Sequence, residues 1–346
     1  APAQQVFEFL TFFSSYNFKV IPITFSDSLV LIAAATEEST PPDIATTTGL
    51  DLVIFNSVSN IFFQYNFDLV SIIYLAYCLI ITTSYLINMD PNNKQAEELI
   101  KMAFLAGKEI LKIYKTPFSK KFKKDRSPVT KADFAANKII CSGLKKSFPN
   151  IAIISEENDN SNLKKKNMYW LVDPLDGTKE FIKKNGEFTV NIALIKNKKP
   201  IYGLIYMPVT REIYFTKNKF SYYSKFNNKG QLLKKTKIRT KKRSKNILVL
   251  SRSHISDKKK LSEMKDFMFK KFKANKIIQS GSSIKLCYIA HGKANIYPRI
   301  GTTMEWDIAA GDAILRKAGG KIKTLDGKIM KYGKRNYKNK SFIARS

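Results

Sequence analysis

Acidic residues are scarce in most of this chain, and basic residues are almost missing from its start. Of 60 Lys+Arg and 28 Asp+Glu in 346 residues, residues 1–88 hold one basic residue, Lys19, and seven acids, which leaves 59 basic and 21 acidic residues for 89–346, a net of +38. Two stretches so different are not expected to form one domain. Cysteine is sparse and odd in number: Cys78, Cys141 and Cys287 form no C-x-x-C pair, which argues against a disulfide framework and fits a reducing cytosol. Only two histidines occur, His254 and His291, too isolated for a Ser-His-Asp or Cys-His arrangement. The chain has no G-x-x-x-x-G-K-[ST] loop and no G-x-S-x-G elbow, and its paired aspartates are spaced D-x-x-D instead of the D-x-D of a haloacid-dehalogenase nucleophile.

The large positive charge raises a nucleic-acid-binding reading. Against it, the lysines are scattered through every predicted element. The densest run, "KKFKKDR" at 120–126, reads as a loop without zinc-finger spacing or an aromatic RNA-binding pattern. The expectation is therefore a Lys-rich surface and no nucleic-acid partner, with part of the excess steering an anionic small molecule.

The stretch 69–88, "LVSIIYLAYCLIITTSYLIN", is uncharged and of membrane-spanning length, roughly 20 residues. If it spans, the Lys-rich flank after it lies in the cytoplasm. A second reading competes. Met89 is the first methionine, composition switches there, and "MDPNNKQAEELIKMAFLAGKEILKIYK" reads as the first helix of a complete domain. Residues 1–88 are then an appendage, either upstream sequence read through in frame, which the switch favours, or a membrane anchor.

From Met89 on, Asp90 with Pro91 predicts a helix start, and Thr130 predicts the cap of a second helix within 127–149. "IAIIS" (151–155) and "YWLV" (169–172) read as strands, and 188–195, 201–208 and 212–216 as a meander. "KNILVLSRSH" (245–254) opens a new unit with a Lys-rich helix near 257–272, a helix follows at 306–320, and "KIKTL" reads as the final strand. The expected fold class is α/β: an α+β half at 89–244 and an α/β half at 245–346.

Acids collect at element ends. Asp133 lies in the first turn of the second helix, Glu156 and Glu157 follow one strand, Asp173 and Asp176 follow the next, and Asp307 starts a helix. Carboxylates so placed can converge at the mouth of a sheet, and an all-oxygen set suits Mg²⁺ better than zinc. Gly177 and Thr178 follow Asp176 at once, where backbone N–H groups can face an anion. Metal-binding carboxylates beside a phosphate-cradling turn are the equipment for metal-assisted transfer of a phosphoryl group to water.

"SPVTKAD", "ISEEN", "WLVDPLDGTKEFIKKNGEFTVNIALI", "SRSH", "GSSIK", "YPR" and "EWDIAAGDAIL" stand in this order within 89–346. Together they resemble the inositol monophosphatase superfamily, and the "KEFIKKNGEF" extension resembles its bisphosphate nucleotidase branch. The resemblance implies a layered αβαβα sandwich and a Mg²⁺-dependent, Li⁺-sensitive phosphatase using two or three ions. The implied reaction removes the 3'-phosphate of adenosine 3',5'-bisphosphate, a by-product of sulfate assimilation, to give AMP. It assigns Glu156, Asp173, the Leu175 carbonyl, Asp176 and Asp307 to the metals. Asp133, Thr178 and Glu156 fall to catalysis, with Asp133 and Thr178 orienting water. Gly177 and Thr178 fall to the scissile phosphate, and His254, Ser282, Lys285 and Arg299, with Asp307, to the rest of the substrate. An inositol or sugar phosphatase of the same fold is the alternative, and a basic nucleic-acid-binding protein the alternative of another class. The implied location is the cytoplasm, and the resemblance also allows association with the inner membrane. Oligomeric state is not implied.

Overall fold

The structure, a computed structural model, describes residues 19–25, 28–34, 91–122, 128–160, 167–252 and 258–346. The expectations placed on 69–88 and on His254 lie outside them. The chain divides into two compact units, Ala1–Met89 and Asp90–Ser346. In the first, β1 (Lys19–Phe25) and β2 (Ser28–Ala34) pair antiparallel, Lys19 against Ala34 and Phe25 against Ser28. Among the described residues no helix is long and apolar enough to cross a membrane.

The second unit opens with α1 (Asn93–Tyr114). Asp90 and Pro91 do not start it. The Asn92 side chain accepts from the Gln95 N–H at 2.9 Å, and Gln95 Oε1 accepts from the Asn92 N–H at 3.0 Å. This reciprocal box satisfies two of the helix's orphan donors, which outweighs proline's preference for the first helical position. After β3 (Lys120–Phe122) and β4 (Pro128–Thr130), α2 (Lys131–Ser147) is capped by Thr130 as expected.

A seven-stranded sheet follows: β5 (Ala152–Ser155), β6 (Met168–Asp176), β7 (Thr189–Lys196), β8 (Lys199–Met207), β9 (Glu212–Lys217), β10 (Phe220–Lys225) and β11 (Thr236–Ile238), with the short α3 (Thr178–Ile182) between β6 and β7. Strand order is sequential, and every pairing is antiparallel except β5 with β6. The last stretch supplies β12 (Asn246–Ser251), α4 (Lys258–Lys271), β13 (Ala274–Ser280), α5 (Ile284–Ala290), β14 (Ile296–Arg299), β15 (Thr303–Met304), α6 (Glu305–Lys317), β16 (Lys321–Thr324), β17 (Lys338–Asn339) and β18 (Phe342–Arg345). Its sheet runs β13-β12-β14-β18-β16. "KIKTL" is therefore not the final strand. β18 returns to pair antiparallel with both β14 and β16, a non-local partnership that a short run gives no sign of.

The period-2 alternation of β6 sorts the layers. Trp170 and Val172 join Leu99, Ala103 and Ile140 of α1 and α2 in one core, whereas Tyr169 and Leu171 join Leu286, Ile289, Ala310 and Ile314 of α5 and α6 in another. The second sheet closes over α5 and α6, and Leu248 and Ile296 on its far face pack with Met268 of α4 and with Phe272 just after it. The layers are thus αβαβα. Between the large sheet and α6 there is no room for a side chain at Gly203: a Cβ there would stand 2.3 Å from the Ala310 carbonyl oxygen and 2.8 Å from Ala313 Cβ.

Candidate active site

The site is built where strands end. β5 and β6 run parallel with Ser155 opposite Val172, and the Glu156 N–H donates to the Val172 carbonyl at 3.1 Å. The ladder therefore delivers Glu156 and Asp173 to the same level at neighbouring strand ends. Beyond Asp173 the pairing with β7 is irregular as far as Asp176. This bulge turns the chain, so that Asp176 and the Gly177–Thr178 turn line one cleft with Glu156 and Asp307. Gly177 has φ +94°, a left-handed conformation that favours glycine, and a Cβ there would press on the Glu187 carbonyl at 3.1 Å and Ser282 Cβ at 3.2 Å.

Asp133 is held from its own helix end. Its Oδ2 accepts from the Thr130 N–H at 2.8 Å and the Thr130 hydroxyl at 2.7 Å, while Oδ1 accepts from the Thr178 hydroxyl at 3.3 Å. One turn on, Asn137 ties α2 to the other side of the site: its Oδ1 accepts from Ser155 Oγ at 2.7 Å and its Nδ2 donates to Asn158 at 2.8 Å. Glu156 and Glu157 sit between these two anchors.

The donor set fits a hard cation such as Mg²⁺. In each of three aspartates one oxygen is hydrogen-bonded within the protein: Asp173 Oδ1 to the Leu175 N–H at 3.1 Å, Asp176 Oδ2 to the Ser283 N–H at 2.6 Å, and Asp307 Oδ2 to the Met304 N–H at 2.8 Å. The other oxygen of each has no such bond among the described residues. Burial pushes all three carboxyls above the usual range, and the acids reinforce this on Asp173 (Glu156, Asp176, Asp307) and on Asp307 (Asp176, Glu156). Oxygen-only donors that repel one another are what a bound cation relieves. The carboxylates are spaced around the cleft: among the described residues no three acidic, histidine or cysteine side chains form a ready chelate.

Burial pushes the Asp176 carboxyl up to about 6, against the pull of Lys285 and of its hydrogen bonds. A folded value above the unfolded one, about 3.9, favours the metal-free folded state at low pH, and the advantage is lost as pH rises through about 6. The metal-free Asp176→Asn variant is therefore expected to gain melting temperature relative to metal-free wild type as pH goes from about 4 to about 8. A constant difference across that range would show that Asp176 carries no such burden.

The opposite wall comes from the second sheet. Ser282 has φ +42°, and its buried hydroxyl has no partner among the described residues. Lys285 is buried and donates to the carbonyls of Ser280 and Ser282. Arg299, also buried, donates to Ser251 Oγ at 3.4 Å and the Thr302 carbonyl at 3.3 Å, and its Nε has no partner among the described residues. All three line the cleft with the carboxylates.

Several residues in the site had no role in the sequence reading. Glu187 in the "KKNGEF" stretch receives Arg252 Nε and Nη2, both at 2.7 Å, and the Gly281 N–H at 2.8 Å. It thereby fastens the extension to the loop before α5. Ser283, Asn191 and Thr189 form a buried hydroxyl–amide cluster under Asp176. Glu180 of α3 also borders the cleft. The signal for Glu187 and Glu180 was present in the extension itself, as acids in an acid-poor chain.

Residues 92–346 match the sequence profile of the inositol monophosphatase family. The 3'(2'),5'-bisphosphate nucleotidase CysQ of Buchnera aphidicola subsp. Acyrthosiphon pisum is 43% identical over 243 residues, covering 69% of this chain and 88% of that protein. CysQ of Escherichia coli K12 is 38% identical over 240 residues, 68% of this chain and 93% of that protein. Among solved structures, CysQ from Bacteroides thetaiotaomicron superposes with a TM-score of 0.62 at 38% identity, over 74% of this chain and 98% of that one. With a profile match from Asn92 to the last residue and relatives of this identity, the chain belongs to the inositol monophosphatase family.

Proposed function

We propose that this protein is a 3'(2'),5'-bisphosphate nucleotidase that removes the 3'-phosphate of adenosine 3',5'-bisphosphate, giving AMP and phosphate. One observation carries this reading: a carboxylate-lined strand-end site faces, across a single cleft, the buried cations Lys285 and Arg299. A plain monoester needs only the first wall, and a second phosphate uses the other. Relatives at 38–43% identity carry the nucleotidase name.

Enzymes of the family are metal-dependent, and Glu156, Asp173, Asp176, Asp307 and the Leu175 carbonyl would hold two or three Mg²⁺ here. Magnesium bound there supplies positive charge against the phosphate oxygens and makes water acidic enough to attack. The protein's own residues do the rest. Asp133, fixed by Thr130, accepts a hydrogen bond from the Thr178 hydroxyl, so that the hydroxyl's lone pair is turned to accept from the attacking water. Glu156 lines the same cleft and would serve as base to that water. The N–H groups of Gly177 and Thr178 receive the scissile phosphate. Ser282, Lys285 and Arg299 bind the remainder of the substrate, and His254 is assigned to the same task. The free thiols Cys141 and Cys287 support a reducing, cytoplasmic setting.

Phosphate release with Mg²⁺ tests the reading. Turnover of adenosine 3',5'-bisphosphate is expected to exceed that of inositol 1-phosphate by at least about tenfold in kcat/KM, since a site that loses a charged partner forfeits 1.5–3 kcal/mol or so. Preference for inositol 1-phosphate would assign the protein to the monophosphatases instead.

A further inference from the structure

Glu180 is a carboxylate for which the mechanism above has no use. It is 6% exposed, it borders the cleft, and among the described residues its side chain has no hydrogen bond or ion pair. Its Cγ packs against Gly281, where a Cβ would come within 2.7 Å. Lys285 and Arg252 are in electrostatic reach, and neither touches it. Its carboxylate opens on the cleft, where it can accept a hydrogen bond from a bound ligand.

The unengaged groups of residues that share its cleft are donors: the Ser282 hydroxyl and Arg299 Nε. Those suit phosphate oxygens, which only accept. Glu180 only accepts, and so it must meet a donor on the substrate. A nucleoside bisphosphate at neutral pH has few, namely the ribose hydroxyl next to the esterified carbon and any exocyclic amine of the base. Position decides between them. Glu180 lies two residues after Thr178 on the same five-residue helix, at whose start the proposed function seats the scissile phosphate. The hydroxyl one carbon away from that ester is the nearer donor.

We propose that Glu180 accepts a hydrogen bond from the hydroxyl vicinal to the scissile phosphate and so selects ribo- over 2'-deoxyribonucleotides. The inference rests on the nucleotidase reading. It also bears on the relatives, whose name gives both the 3' and the 2' position: a cis hydroxyl adjoins a phosphate at either one.

The test compares kcat/KM for adenosine 3',5'-bisphosphate, its 2'-deoxy analogue and inosine 3',5'-bisphosphate, in wild type, Glu180→Ala and Glu180→Gln. Wild type is expected to prefer the ribonucleotide roughly 10- to 100-fold, the range for a hydrogen bond to a charged group. Glu180→Ala is expected to bring that ratio close to one by lowering only the ribonucleotide rate, and Glu180→Gln, which keeps an acceptor, to retain part of it. A wild-type ratio near one overturns the proposal, as does an equal loss on all substrates. So does a changed adenosine-to-inosine ratio, which would assign the carboxylate to the base, or a changed Mg²⁺ half-saturation with the ribo preference intact. If wild type releases phosphate from none of the three bisphosphates, the functional reading fails and the proposal falls with it.

Discussion

Asp173→Asn is expected to lose at least about three orders of magnitude in turnover while the metal-free protein melts no lower than wild type, and higher at neutral pH. Asparagine has nearly the same shape and keeps an oxygen for the Leu175 N–H, which sits 3.1 Å from Asp173 Oδ1. What it removes is a buried negative charge whose neighbours, Glu156, Asp176 and Asp307, are also acids. In the metal-free protein that charge opposes folding, so its removal relieves strain. In the loaded enzyme the same charge would help hold the ions that stabilise the transition state, a contribution of several kcal/mol, and each 1.4 kcal/mol or so is a factor of ten. Activity and stability therefore move in opposite directions. Phosphate release together with a thermal melt in chelator reads both. Near-normal turnover would remove Asp173 from the metal set, and a lowered melting temperature would show that its charge is satisfied in some other way.

Asp312→Ala is expected to act in reverse, costing stability and sparing chemistry. Asp312 is fully buried in α6, five residues past Asp307 and outside the cleft. Its two oxygens accept Arg316 Nε and Nη2, both at 2.8 Å, and the Tyr332 hydroxyl at 2.9 Å. Truncation leaves a largely buried guanidinium and a buried phenol with no carboxylate. Breaking such a pair by removing one partner costs about 3–5 kcal/mol. For a domain of this size that corresponds to a fall of roughly 10 °C in melting temperature. Denaturant unfolding gives the free energy, and kcat per folded molecule is expected to stay within about threefold of wild type. A loss below about 1 kcal/mol would show that water or Met330's carbonyl, 2.8 Å from Arg316 Nη2, replaces the carboxylate.

What could be read from the sequence was local. Thr130 and Asp133 are three residues apart, and a cap box needs nothing more. "DPLDGT" shows its carboxylates, its glycine and its threonine in one string, and the strand before it has a clear apolar pattern. What could not be read was pairing. β10 and β11 were missed because "FSYYSK" mixes polar and aromatic residues and "TKI" is only three residues long; their strand character comes from pairing, β10 beside β9 and β11 beside β10. β18 is four residues whose partners lie 18 or more residues earlier in the chain. The start of α1 went to Asp90 because Asp-Pro is the stronger general signal, whereas Asn92 and Gln95 prevail by satisfying each other. In the site, the acids were visible as acids. The tasks of Glu187, Glu180 and Asn137 depend on what the fold sets against them, namely Arg252 and Gly281, the cleft wall at Gly281, and the Ser155–Asn158 turn.

The contact between β8 and α6 at Gly203 has a consequence for genetics. That glycine lies in the middle of a sheet and does not border the cleft. Yet it sets how closely the helix bearing Asp307 rests on the sheet, because the helix backbone touches it directly. An allele with any larger residue there would shift Asp307, and in a growth selection it would group with the metal-site alleles, far from them in sequence and with no catalytic atom of its own.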